Sequence, residues 1–531
     1  MKKILLIPAI LIAGLIVVVL VRFTLDKNVD YDVSSDNINI PTFESSYLDF
    51  EHKLNEAESL PFTASAIIDI DNDGTEELFI GGGPNQHDEF FKYSNGKFTP
   101  LPRGIFKKSA IQDATFGSSV IDVDNNGFSD LIVSRTSGIW LYLNQNGQFT
   151  EQKLNTPLQA DTSPLSVAIS DINRDGHFDM YVAGYIKKEL VEGQNIFNKE
   201  GYGGTSAMLL NNGDNSFTDI TESSGLMYTH NTFMGIFVDM DNDGLEDLVV
   251  AHDTGQVKTW KNLGNNQFAD TANPNSEEYS YPMGIAVTDY QNDGLVDFFF
   301  SNVGSTAPSF LAKGDLRDDQ VYNPKWIMFQ NKGDFQFEDV AQKVKLANYE
   351  FSWGAIFEDF NLDGRDDLVV SENYIGFPFH KIPFLRLPGR FLLQTETGEF
   401  AETSEQSGVE NKGYSISPIT ADFNNDGYPD FVHINIAGKS KVFMNKGGKS
   451  NFVKVKLPDN IGSIAAKITV IKGDGSVLRR DFVSGEGLSS DQSHIQIFGL
   501  GESDAKEVSV RYIDGRVDVK TGDFVNTLIT F

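Results

Sequence analysis

The chain has 531 residues, 40% hydrophobic and 12% aromatic, with a formal charge of -32 and a pI near 4.5. That apolar content belongs to a folding sequence rather than an acidic disordered tail, and so negative a surface repels phosphate backbones, which argues against a nucleic-acid partner. Cysteine is absent, so neither disulfides nor thiolate chemistry is available.

Lys2 and Lys3 precede an uncharged run of 18 residues, Ile4 to Val21, which ends at Arg22. A secretory signal core is usually about 7 to 15 residues long and is followed by a small-x-small cleavage site. This run is longer and has no such site. As a helix rising about 1.5 Å per residue it approaches the ~30 Å hydrocarbon core. Residues 1–25 therefore read as an uncleaved membrane anchor, in preference to a signal peptide or a buried core helix. The lysine pair places the N-terminus in the cytoplasm and the body outside it, periplasmic or extracellular, with the inner membrane as a partner. Residues 26–60 read as a polar linker.

From Asp69 the sequence runs DIDNDGTEEL, and the same form returns as DVDNNGFSDL from Asp122, DINRDGHFDM from Asp171 and DMDNDGLEDL from Asp239. It returns again as DYQNDGLVDF from Asp289, DFNLDGRDDL from Asp359 and DFNNDGYPDF from Asp422. Successive starts lie 53, 49, 68, 50, 70 and 63 residues apart. A hard cation such as calcium takes six to eight oxygens at about 2.3 to 2.6 Å, and a tight loop can aim side chains 1, 3, 5 and 9 inward with the carbonyl of position 7. Glycine at position 6 permits the sharp turn. The candidate ligands are Asp69, Asp71, Asp73 and Glu77; Asp122, Asp124, Asn126 and Asp130; Asp171, Asn173, Asp175 and Asp179; and Asp239, Asp241, Asp243 and Asp247. The last three sets are Asp289, Gln291, Asp293 and Asp297; Asp359, Asn361, Asp363 and Asp367; and Asp422, Asn424, Asp426 and Asp430.

Asp, Asn and Gly are also ordinary turn formers, so one such segment alone is more often a turn than a metal site. Turn chemistry requires neither the acid at position 9 nor side-chain oxygens at 1, 3 and 5 together. All seven segments carry both, so up to seven structural calcium ions are expected. The first and fourth loops offer four carboxylates, and Gln291 makes the fifth the poorest. An EF-hand would add a bidentate Glu at position 12 and flanking helices. Position 12 is Ile80, Val133, Val182, Val250, Phe300, Val370 and His433, and the flanks are short β-branched and aromatic runs that predict strand–loop–strand units.

A second phrase follows, as in LYLNQNGQFT from Leu141, TWKNLGNNQFADT from Thr259 and MFQNKGDFQFEDV from Met328. Its Asn-Gly-type centre between apolar runs predicts a hairpin. Each unit thus offers about four short strands in some 50 residues, the size of a propeller blade. The reading is all-β: a seven-bladed β-propeller with calcium-binding loops over residues 61–449, with a linear β-solenoid as the alternative, plus the N-terminal transmembrane helix.

The loop and the N-x-G-x-F phrase, recurring in order, resemble the FG-GAP and VCBS repeats of integrin-α-type propellers, in which such loops bind calcium. Residues 450–531 alternate apolar and polar without an acidic loop. Their AAKITV, SGEGLSSDQSHIQIFGLG and VRYIDGR segments resemble the ASPIC/UnbV domain of cartilage-acidic-protein-like bacterial proteins, with Tyr512 and Ile513 where that family usually has Trp-Pro. The resemblance implies a bacterial cell-envelope protein.

Catalytic patterns are lacking: the eight histidines form no H-E-x-x-H, no G-x-S-x-G occurs, and Gly81 to Gly83 opens no helix. No catalytic or organic-cofactor residue is assigned. Longer units carry extra segments near 185–205, 302–326 and 373–391, which either pack over the ring or form a recognition surface. The function expected is protein or glycan binding in adhesion by a membrane-anchored, extracytoplasmic, calcium-binding propeller. A polysaccharide-acting enzyme with its site at the propeller mouth and an envelope assembly scaffold are the alternatives.

Overall fold

A computed structural model describes residues 33–54, 59–106, 113–160, 162–187, 203–304, 316, 319–373 and 386–531. Its regular structure is almost wholly β, organised in seven successive antiparallel sheets built on four strands each, sheets one to seven in chain order. Their inner strands are Ser65–Ile68, Thr115–Ile121, Thr162–Ser170, Thr232–Val238, Ile285–Thr288, Ser352–Glu358 and Ser415–Ala421. Both faces of these strands are buried, as in the SAII and TFGSSVI segments, because each sheet is covered by its neighbours. This explains why they read as continuous apolar or small-residue runs rather than as alternation.

Each inner strand packs against the next, and the seventh also packs against the first, so the series closes on itself. The approach is close: a Cβ on Gly117 would stand 2.4 Å from the carbonyl oxygen of Leu165 in the neighbouring sheet. Phe62, Tyr185, Phe233 and Trp353 converge, with ring centroids 5.0 to 6.1 Å apart in edge-on and stacked pairs. The middle of the ring is therefore apolar core, not a pore.

Sheet seven is completed from the other end of the chain. Its outer strand is Phe43–Glu51, antiparallel to Lys439–Asn445 in a register that pairs Phe43 with Asn445 and Glu51 with Lys439. This strand lies inside the stretch read as a linker. Only Phe43, Leu48, Phe50 and the flanking His52 are buried, too sparse a pattern to announce a strand.

The seven acidic segments all join first to second strands and so share one end of the sheets. Second-to-third connections leave from the opposite end. The three long ones follow Asp179–Lys187, Asp297–Phe300 and Asp367–Glu372 and return at Ala207–Asn211, Ile327–Asn331 and Arg390–Gln394. Most of their residues lie outside the described ones.

The C-terminal segment forms two sheets. One has Asn451–Lys456 between Ile495–Gly501 and Thr527–Thr530; the other orders Val477–Asp481, Lys467–Lys472, Ala505–Arg511 and Val517–Phe524. Tyr512, where the resemblance led to Trp, is buried, with the Arg516 guanidinium 3.7 Å from its ring centre. The loop between Asp481 and Ile495 enters the ring. Ser490–Asp491 pairs in parallel with Ser65–Ala66, and Gly487 exchanges two backbone hydrogen bonds with Ile285 at 2.9 and 3.0 Å. In the same loop Glu486 accepts the Val287 N–H at 2.7 Å, and Asp491 accepts that of Val120 at 2.6 Å.

One expectation is corrected. No helix among the described residues is long and apolar enough to cross a membrane. The Ile4 to Val21 run lies outside those residues, so a transmembrane helix, an inner-membrane partner and a membrane-anchored envelope location are withdrawn.

Candidate metal centres

Each acidic segment adopts the same wrapped turn. The carboxylate at position 1 accepts the backbone N–H of position 5 on one oxygen, at 2.8 to 3.1 Å in all seven loops. Its other oxygen accepts the N–H of position 6, at 2.7 to 3.2 Å. The side chain at position 5 accepts the N–H of position 7, at 2.8 to 3.0 Å. Gln291 does not disturb this geometry, so the fifth loop closes like the rest.

Two backbone positions make the turn. Glycine at position 6 has φ between 82° and 93°. Position 4 is also left-handed, with φ of 55° to 62° at Asn72, Asn125, Arg174, Asn242, Asn292, Leu362 and Asn425. Asparagine tolerates that region best among residues with a side chain, and it fills five of the seven positions. The preference was visible in the sequence, but the ligand pattern passes over position 4.

Position 9 opens the second strand in every sheet, at Glu77, Asp130, Asp179, Asp247, Asp297, Asp367 and Asp430, all buried. Burial, with neighbouring carboxylates adding to it, pushes Glu77 and Asp130 up to about 7 and Asp179, Asp247 and Asp297 up to about 8. Asp289 at position 1 is likewise raised to about 7 by burial. Carboxyls held this far above their ordinary range gain from any cation that takes their ionised form.

In three loops three carboxylate oxygens lie within 4.8 Å of one another: Asp69, Asp71 and Glu77; Asp122, Asp124 and Asp130; and Asp239, Asp241 and Asp247. These are the three loops with Asp at position 3. Asn173, Gln291, Asn361 and Asn424 put an amide there instead. The donor set is all oxygen, part carboxylate and part amide, and the convergent acids could hold a metal ion.

Residues 69–133, 122–182 and 239–300 match the FG-GAP-like repeat, and residues 458–531 match the ASPIC and UnbV domain. The chain carries FG-GAP-like repeats followed by an ASPIC/UnbV domain. Among its relatives, cartilage acidic protein 1 of Mus musculus is 22% identical over 497 residues, covering 85% of this chain and 70% of that protein. The Xenopus tropicalis protein of that name is 24% identical over 492 residues, with the same coverage. The solved structure of BBS1N in complex with ARL6DN aligns over 76% of this chain and 97% of that one, at 9% identity and a TM-score of 0.44.

Two features of this FG-GAP chain escaped the ligand pattern. The first is the Asn of the hairpin phrase. Its backbone N–H donates to the position-9 acid of its own sheet, as Asn144 does to Asp130 at 2.6 Å and Asn331 to Asp297 at 2.8 Å. Its side-chain amide reaches the position-2 carbonyl of the preceding sheet: Asn144 to Ile70, Asn331 to Met240, Gln394 to Tyr290 and Asn445 to Phe360, at 2.8 to 2.9 Å. A residue read as a turn former thus ties each of these loops to its neighbour.

The second is a set of basic residues in the ASPIC/UnbV domain that meets the acidic end of the ring. Lys454 pairs with Asp422 at 2.9 Å, Lys456 with Asp69 at 3.1 Å, and Arg480 with Glu358 and Asp366 at 2.8 and 2.6 Å. Lys467 donates to the Asp239 carbonyl at 3.3 Å. The Arg479 backbone N–H donates to Asn292 Oδ1 at 3.0 Å.

Proposed function

We propose that this chain is a seven-bladed, calcium-stabilised β-propeller over residues 61–449, carrying its ASPIC/UnbV domain over 450–531, and that it acts in extracellular adhesion by binding a protein or glycan. The observation that carries the reading is the recurrence of one turn, fitted for a hard cation, at the same end of all seven sheets. Seven divalent ions would offset fourteen of the 32 excess negative charges. The ligands do not preassemble in an unfolded chain, so ion binding becomes folding energy. In a protein without cysteine this does the work of disulfides.

The opposite end of the ring is the side for a ligand. The acidic end is engaged by the C-terminal domain, and the axis is filled. The three long connections begin and end on the opposite side. There, too, lies an open groove of about 590 Å³, lined among others by Asp49, Glu51, Gln86, His87, Glu89 and Arg103. That volume lies in the range of ligand clefts. The polar cavity beside it, around Arg135 and Asp88, is only about 50 Å³, which suits a water molecule rather than a saccharide.

The test is metal analysis of protein purified without chelator, followed by protein and glycan arrays with and without calcium. Bound calcium and calcium-dependent retention of a protein or glycan are expected. A calcium-free protein whose melting temperature ignores chelator would sink the metal reading, and empty arrays would sink the adhesive one.

A further inference from the structure

The seven loops differ in one chemical respect. Only the first and fourth have aspartate at both positions 3 and 5, as Asp71 with Asp73 and Asp241 with Asp243; each of the others replaces one of the two with Asn or Gln. The third strand of each sheet passes over its loop, and the residue that follows the partner of position 10 there is Lys92, Leu143, Leu210, Lys261, Gln330, Leu393 and Met444 in sheets one to seven. Lysine stands at this place in the two four-carboxylate loops and nowhere else.

Both lysines reach into their loops. Lys92 Nζ lies 2.5 Å from Asp73 Oδ2, 3.0 Å from Glu77 Oε1 and 3.9 Å from Asp71 Oδ1. Lys261 Nζ lies 3.0 Å from Asp243 Oδ2 and contacts Asp241 Oδ2. A calcium ion held by these oxygens would sit about 2.3 to 2.6 Å from each of them. An ammonium and a divalent ion cannot share that space, since two cations within a few Å repel strongly.

We propose that Lys92 and Lys261 are tethered cations: each holds its loop closed when no divalent ion is present and must swing out before an ion enters. The fourth carboxylate and the lysine form a matched pair within the sheet. In calcium-poor surroundings the lysine thus offsets the extra carboxylate of loops one and four, three sheets apart on the ring, and in loop six Arg365 stands 2.5 Å from Asp363 in the same way. The two lysines also cost loops one and four calcium affinity, because ion binding there must first break an ammonium–carboxylate contact.

This inference rests on the calcium reading above, and calcium titration of wild type, Lys92→Met, Lys261→Met and the double variant tests it. Lys258→Gln is the control, because Lys258 lies on the same strand as Lys261 but pairs with Asp270 at 2.7 Å. Calorimetry should show each single variant gaining one site roughly tenfold tighter than in wild type. In chelator each should melt below wild type, with the control unchanged. Wild type that takes up calcium, with variants matching it in count, affinity and melting in chelator, would overturn the proposal and leave the calcium reading intact. Wild type and variants that take up none would overturn both. The single variants keep the test readable if the double variant does not fold.

Discussion

Lys456 Nζ lies 3.1 Å from Asp69 Oδ2, and two residues earlier on the same strand Lys454 Nζ lies 2.9 Å from Asp422 Oδ2. Residues two apart on a strand point to one face, so one strand of the C-terminal domain grips loops one and seven, which flank the place where the ring closes. Both aspartates are buried, and their other contacts hold the turns in shape. Replacing Lys454 and Lys456 by Gln should cost about 1 to 3 kcal/mol each, less than a fully buried pair because both ammonium groups keep some solvent contact. Thermal melting of the double variant checks this. The drop should be larger in chelator, where no ion shares the carboxylates, and an unchanged melting temperature would show that the clasp is ornamental.

Gly487 sits where the C-terminal loop enters the ring. Its φ is 103°, and a Cβ there would meet Ser490 Oγ at 2.4 Å and Ser417 Oγ at 2.9 Å. Gly487→Ala should therefore destabilise the protein by about 2 to 4 kcal/mol, from strain in a left-handed backbone and from crowding. Gly462→Ala is the matched control, since the only nearby atom is Asn460 Oδ1 at 3.3 Å. Urea midpoints of the two variants should separate; coincident midpoints would mean that the loop does not hold the ring.

Asn331 is fully buried between sheets four and five, with its amide on the Met240 carbonyl at 2.8 Å. Truncation to Ala strands that carbonyl without its donor, a loss of about 1 to 3 kcal/mol. The exposed Asn212, whose side chain bonds to Ser216 and Thr218 within its own hairpin, should lose less on the same change. Comparing the two melting temperatures distinguishes a tie between sheets from ordinary turn chemistry.

How much of this was legible follows from how local each signal is. The decapeptide announced itself because ion chemistry fixes residue types at positions 1, 3, 5, 6 and 9, and the strands on either side were apolar runs that only burial on both faces explains. The Asn of the hairpin phrase was visible but misjudged. Asn-Gly is an ordinary turn, and nothing local says that Asn144 also reaches Ile70 in the sheet before. Phe43–Glu51 could not be found at all, because its reason for being a strand is Lys439–Asn445 at the far end of the chain. The same holds for Lys454, Lys456 and Arg480. Lys454 and Lys456 alternate with apolar residues as any surface lysine would, Arg480 stands between Arg479 and Asp481, and their partners appear only when the acidic end of the ring is assembled beneath them.

The buried acids at position 9 set the pH dependence. In the ion-free protein burial raises Glu77 and Asp130 to about 7 and Asp179, Asp247 and Asp297 to about 8, whereas an unfolded chain titrates such groups near 4. Between those values the folded state binds more protons than the unfolded one, so stability falls as pH rises. The contribution of these groups is fully present below about pH 4 and is lost as pH climbs through 7 to 8. Calcium reverses the preference, because it takes the ionised carboxylates as ligands and releases their protons on binding. Melting temperatures in chelator should thus decline steadily from pH 5.5 to 8.5, while those in calcium hold or rise, so that the gap between them widens with pH. A gap that stays constant over that range would mean that the position-9 acids are not where the ion binds.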